Sequence, residues 1–252
     1  EWRHLQGGKY GGVFFLDSLR GWLTADAHIM YTEDGGQSWN EAKFANADTN
    51  EDIRVDLRGM FIYEDQITQD VKGLAVGDGG VVLTVTDTEG KEWGDRNSPA
   101  AAGNRVVDEC DASPATLYDI FLFSDTNYQE GWCVGENGAI AYTTNGGLNW
   151  TTVGELGVDP LFGCSGEDSH DAYVVHFFED DFDYGVIASE YRHVYVTTDR
   201  GSSWDRVDVR SGTETCPGTD PNIEWWGLEF EDPADHTKGA YLVGGLGNQT
   251  GF

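Results

Sequence analysis

An eight-residue box, T/S-x-D-x-G-x-x-W, returns along this chain and dictates its architecture. It first reads Thr32-Glu-Asp34-Gly-Gly36-Gln-Ser-Trp39 and recurs as Thr197-Thr-Asp199-Arg-Gly201-Ser-Ser-Trp204. It carries Asn for Asp in Thr143-Thr-Asn145-Gly-Gly147-Leu-Asn-Trp150 and is worn in Thr86-Asp-Thr88-Glu-Gly90-Lys-Glu-Trp93. Successive box tryptophans lie 54, 57 and 54 residues apart, and a period of that regularity marks a repeat protein.

The box has the chemistry of a turn. Its Asp or Asn side chain bonds nearby backbone N–H groups, and its glycine takes positive φ at no steric cost. Thr enters from one strand and Trp leaves into another. Each box therefore belongs on the hairpin between the last two strands of a four-stranded unit, with Trp as an apolar wedge between neighbouring sheets. Short runs rich in aromatic and β-branched residues supply the other strands. Inner strands run over 13–17, 60–63, 120–123, 174–178 and 227–230, and second strands open on Gly21, Gly73, Gly131, Gly185 and Gly239. Asp17, Asp65, Asp125, Asp180 and Asp232 follow the inner strands, a recurrence that assigns them to turns rather than catalysis. The expected fold is all-β: a single-domain β-propeller of four-stranded antiparallel blades over about 13–44, 57–98, 117–154, 172–209 and 224–252. Either residues 1–6 close this ring of five, or the units belong to a larger array.

Charge narrows the partners. The chain has 45 acidic and 15 basic residues, a formal charge of −30. Such a field repels nucleic acid and anionic membrane surfaces and attracts cations and basic proteins. No apolar run is long enough to insert in a bilayer. Cys110, Cys133, Cys164 and Cys216 show no C-x-x-C spacing and allow three complete disulfide pairings; Cys133, in an apolar strand, also reads as a free buried thiol. With glycosylation sequons at Asn149 and Asn248, they point to a secreted, periplasmic or lumenal compartment.

The pattern F-x-D, G-W-x-x-G-x-x-G-x-I, T-x-D-G-G-x-x-W, best kept from Phe121 to Trp150, resembles the Asp-box (bacterial neuraminidase repeat) propellers. Within them it is most similar to the photosystem II assembly and stability factor-like branch. The resemblance covers four units and half of a fifth and implies a propeller with a binding or scaffold role. The chain departs in its longer repeats, its acidity and its few arginines, whereas the branch's photosynthetic members use a basic patch. Sialidases share the repeat but need an arginine cluster at the mouth; only Arg192 occupies a mouth turn here, and no Arg-Ile-Pro run occurs. A secreted glycoside hydrolase of the xyloglucanase kind is the enzymatic alternative and requires two opposed carboxylates. A repeat module of a larger surface or filament protein is the third reading.

The expected binding face carries the turns between strands two and three, together with the long inter-unit loops. Its candidates are Asp26, His28, Asp78, Glu136 and Asn137, with Glu190, Tyr191, Arg192 and His193 as a charged, aromatic departure from the glycine-rich turns of the other units. No catalytic residue is assigned and no cofactor is required. Asn46, Asp48, Asn50 and Asp52 alternate oxygen ligands as a calcium loop does, without its sixth-position Gly and twelfth-position Glu, and make calcium the candidate ion. The run from Glu167 through His170 to Asp171 reads as a solvated loop. The expected function is recognition of a macromolecule, protein ahead of polysaccharide, by electrostatic attraction to the acidic loop face.

Overall fold

The computed structural model describes residues 10–44, 56–95, 106, 114–152, 171–189, 193–208, 223–230 and 240–246. Blade 1 is β1 (Tyr10–Phe15), β2 (Gly21–Ala25), β3 (His28–Thr32) and β4 (Asn40–Glu41), after which β5 (Lys43–Phe44) leaves it. Blade 2 is β6 (Leu57–Glu64), β7 (Val71–Gly77), β8 (Val82–Val85) and β9 (Glu92–Asp95), and β5 lies parallel to β9 at its outer edge. The outer strand expected after Trp39 is thus split: two residues finish blade 1, and the next pair straps it to blade 2. Blade 3 is β10 (Leu117–Leu122), β11 (Gly131–Gly135), β12 (Ile140–Thr143) and β13 (Thr151–Thr152). Blade 4 is β14 (Ala172–Phe178), β15 (Asp181–Ser189), β16 (His193–Thr197) and β17 (Asp205–Asp208), and an antiparallel pair follows, β18 (Ile223–Phe230) with β19 (Ala240–Leu246).

The core is a series of layers between blades. Trp22 and Ile29 of blade 1 meet Met60, Ile62, Leu83 and Trp93 of blade 2 in one buried cluster. Leu74, Val76 and Val82 of blade 2 meet Leu117, Ile120 and Cys133 of blade 3 in the next. Phe121, Phe123 and Trp132 of blade 3 meet Phe177, Ile187 and Trp204 of blade 4 in the third. A sheet covered on both faces needs apolar residues at every position, which is why β11, GWCVG, is buried throughout. Cys133 sits there as a free, fully buried thiol; Cys110, Cys164 and Cys216 lie outside the described residues.

The boxes fold as their residue types require. Thr32 Oγ1 donates to Asp34 Oδ1 at 2.8 Å and accepts from Gly36 N at 2.9 Å, while Asp34 takes Ser38 N at 2.9 Å and Ser38 Oγ at 2.6 Å. Thr197, Asp199, Gly201 and Ser203 repeat the set, and Thr143, Asn145, Gly147 and Asn149 keep all of it but the serine hydroxyl bond. In the worn box Asp87, not Thr88, does the work: its Oδ1 accepts Gly90 N at 2.9 Å and Lys91 N at 3.1 Å, so the turn is one residue shorter. Trp204 is 9 % exposed and packs between Phe177 of its own blade and Trp132 of the preceding one, the wedge expected of a box tryptophan.

Two departures occur in the turns after the inner strands. Asp17 and Asp65 each accept two backbone N–H groups, as turn chemistry requires. Asp125 instead makes a bidentate pair with Arg200 of the fourth box at 2.7 and 2.8 Å, and β15 begins right after Asp180, so blade 4 closes with a tight hairpin. Asp232 lies outside the described residues.

Candidate functional site

The central axis of the ring has two mouths, and the inner strands run from one to the other. At the loop mouth each inner strand starts with a β-bulge. Pairing skips Arg58 in β6, Tyr118 in β10 and Tyr173 in β14, and a bulge re-aims the extra side chain out of the sheet's alternation. Arg58 Nε lies 3.1 Å from Asp78 Oδ1, and its Nη2 lies 3.6 Å from Asp56 Oδ2. Asp171 accepts Asn137 N at 2.9 Å, the Tyr118 hydroxyl at 3.1 Å and the Tyr173 hydroxyl at 3.4 Å, with the two tyrosine rings 5.0 Å apart. Glu136 Oε2 accepts Thr116 N at 3.3 Å. The Arg58 charge also reaches Tyr118 of blade 3, so the cluster joins blades 2, 3 and 4.

Asp78, Glu136 and Asn137 come together in this cluster. Asp26, at φ 50°, anchors its turn to the next blade through its carbonyl, which accepts Leu57 N at 2.9 Å. His28 turns away to Glu41 at 2.7 Å on the exposed side of blade 1. His193 opens β16, with its backbone paired to Asp208, while Glu190, Tyr191 and Arg192 lie outside the described residues. Asn46, Asp48, Asn50, Asp52 and Asn248 do too. Among the described residues no three His, Cys, Asp or Glu side chains group as a metal site. Asn149 is exposed on the third box.

Arg58, Tyr118, Asp171 and Tyr173 are the members that sequence reasoning missed. The solvated-loop reading fails for Asp171, which is only partly exposed and holds three donors. A signal existed: aligned inner strands place a large, polar-tipped residue two positions before Met60, Ile120 and Val175, where a purely structural strand needs none.

Burial sets the protonation behaviour of the cluster. It raises the Asp171 carboxyl, against the pull of its donors. Burial, and then the Asp171 charge, push the Tyr118 phenol far up, so Tyr118 acts as a donor rather than a phenolate. Deeper in the ring, Asp119 accepts Ile120 N at 2.9 Å and, across the blade boundary, Val175 N at 3.0 Å. Burial lifts its carboxyl to about 7 in spite of those bonds.

The box mouth is different in kind. An open cavity of about 480 Å³ lies among the ends of the inner strands. Phe14, Phe61 and Phe121, at one register position of successive inner strands, line it in a ladder with ring centroids 5.8 and 5.4 Å apart. His176 continues the ladder 5.3 Å from Phe121, and burial lowers it to about 4, so it is neutral at physiological pH.

Antiparallel four-stranded blades, stacked in chain order with their inner strands about one axis, make this a β-propeller. No protein-family model and no curated protein matches the sequence. Among solved structures, the chain is similar to the extracellular domain of the putative one-component system BT4673 from B. thetaiotaomicron, at 11% identity and a TM-score of 0.55 over 87% of this chain and 26% of that one. It is similar to the GH74 enzyme of Niastella koreensis at 14% identity and a TM-score of 0.50, over 94% of this chain and 28% of that one. A third similar structure is YCF48 bound to D1 peptide, at 15% identity and a TM-score of 0.43 over 95% of this chain and 91% of that one. The first two share the fold, and this chain spans about a quarter of their length.

Proposed function

We propose that this propeller is a non-catalytic, extracytoplasmic binding module that takes a basic segment of a protein partner on its loop mouth. The observation that carries the reading is charge. Asp26, Asp56, Asp78, Glu136 and Asp171 border this mouth, against Arg58 as its one Lys or Arg among the described residues. Bulged backbones and mutual hydrogen bonds hold these groups in place before a partner arrives, which lowers the ordering cost of binding. Asp171 and Tyr118 are committed to each other, an arrangement that suits recognition better than proton transfer.

Titration with a deca-lysine peptide tests the reading. Binding should weaken steeply with salt, and the pair Asp26→Asn with Glu136→Gln should cost about three- to ten-fold in affinity at low ionic strength. Affinity that ignores both salt and these substitutions would overturn it. Hydrolysis of xyloglucan that disappears with a single loop-mouth carboxylate would replace it with the glycoside hydrolase alternative.

A further inference from the structure

The aromatic cavity at the box mouth is walled off from the loop-mouth cluster by the length of the inner strands, and nothing in the fold's turn chemistry requires it. Seven aromatic side chains line it, among them Phe14, Phe61, Phe121, Phe182, Tyr63 and Tyr128. Its polar lining includes three carboxylates, Asp17, Glu64 and Glu179, and one guanidinium, Arg20. Arg20 is already spent, 2.6 Å from Asp17 and 2.8 Å from Glu64. No cation pairs with Glu179 among the described residues, and its charge reaches Tyr128. The lining is therefore aromatic and net negative.

Backbone strain points to the same place. Asn127 and Tyr128 stand in succession at φ 54° and 58°. Asn tolerates the left-handed region, but a bulky aromatic there is an outlier, and such strain clusters at binding sites. Its effect is to lay the Tyr128 ring on Tyr63, stacked at 3.7 Å with 18° between planes, and 6.2 Å from Phe61. The neighbourhood already hosts a cation: the Arg200 guanidinium lies 4.0 Å over Phe123 and 5.7 Å over Phe182, a wall of the cavity.

We infer that this cavity binds an organic cation, an ammonium or guanidinium group carried on an apolar stem. Aromatic faces attract such a group through their quadrupoles, and the carboxylates supply the counter-charge. A cavity of about 480 Å³ is of ligand size. Leu19 and Ile67, 55% and 91% exposed on the turns beside it, add apolar surface at the rim and favour a Lys or Arg side chain presented by a polypeptide.

The test is calorimetric titration of the whole chain with choline, its neutral isostere 3,3-dimethylbutanol, and N-acetyl-arginine amide. The cations should bind about three- to ten-fold more tightly than the neutral isostere. Tighter binding of choline would assign the cavity to a small molecule, and tighter binding of the arginine amide to a protein side chain. Glu179→Gln and Tyr128→Gly should each weaken both cations. Tyr128→Gly gives up the ring stacked on Tyr63 but relieves the positive φ, so its unfolding temperature should fall while the chain stays folded, and the loop-mouth pair Asp26→Asn with Glu136→Gln should leave choline affinity unchanged. No binding of either cation, equal affinity for the neutral isostere, or cation affinity untouched by Glu179→Gln and Tyr128→Gly in a folded chain would each overturn the inference.

Discussion

The glycine of each box is where turn chemistry and blade packing meet, and replacing it separates the two. Gly201 has φ +88°, and a Cβ there would stand 2.4 Å from Trp132 Cζ2 of the preceding blade. The indole cannot swing clear: it is 2% exposed, its Nε1 donates to the Arg200 carbonyl at 3.3 Å, and Trp204 and Tyr142 flank it. Gly36 has nearly the same φ, +85°, but its nearest neighbour would lie at an ordinary 3.6 Å. Holding an L-residue in the left-handed region costs about 1–2 kcal/mol, and overpacking a filled core costs about 1–3 kcal/mol more. Gly36→Ala should therefore lose only the first contribution, roughly 1 kcal/mol after the stiffer unfolded chain offsets part of it. Gly201→Ala should lose both, roughly 3 kcal/mol, or about 6–12 °C in unfolding temperature for a chain of this length. Urea unfolding followed by tryptophan fluorescence reads the difference. Equal losses at the two positions would mean that blades 3 and 4 are not locked through Trp132, and the wedge account would fail.

Two pH effects with opposite signs follow from the buried and turn carboxylates. Asp17 is held at about 2 chiefly by the Arg20 backbone N–H, and Asp34 at about 2 chiefly by the Ser38 hydroxyl, against an ordinary 3.8. Their contribution is present above pH 4 and lost as pH falls from about 4 towards 2, so Asp34→Asn should flatten the acid limb of an unfolding curve. Asp119 runs the other way: with about 7 in the fold against 3.8 unfolded, the native state keeps a proton that the unfolded chain has released. Its contribution is full below about pH 4 and declines as pH rises to about 7. Comparing urea midpoints at pH 5 and pH 8, the parent should lose stability across that interval relative to Asp119→Asn; identical slopes would refute the assignment.

The sequence by itself determined the local geometry. A Thr, an Asp or Asn and a Gly within five residues are enough to build the box, because every hydrogen bond of the motif spans two to four positions, as at Thr32, Asp34 and Gly36. Strand order follows from the same periodicity, and the apolar run of β11 announces burial on both faces. Tertiary structure decided what distant residues do together. Arg200 belongs to a box by its position, yet it closes on Asp125, 75 residues earlier, and Arg20 reaches Glu64, 44 residues later. The bulges that bring Arg58, Tyr118 and Tyr173 to one mouth arise from pairing register, which no single strand encodes. The aromatic ladder at the other mouth arises because repeated units set their inner strands side by side. Phe14, Phe61 and Phe121 look like ordinary strand residues one at a time, and only the ring makes them the wall of a cavity.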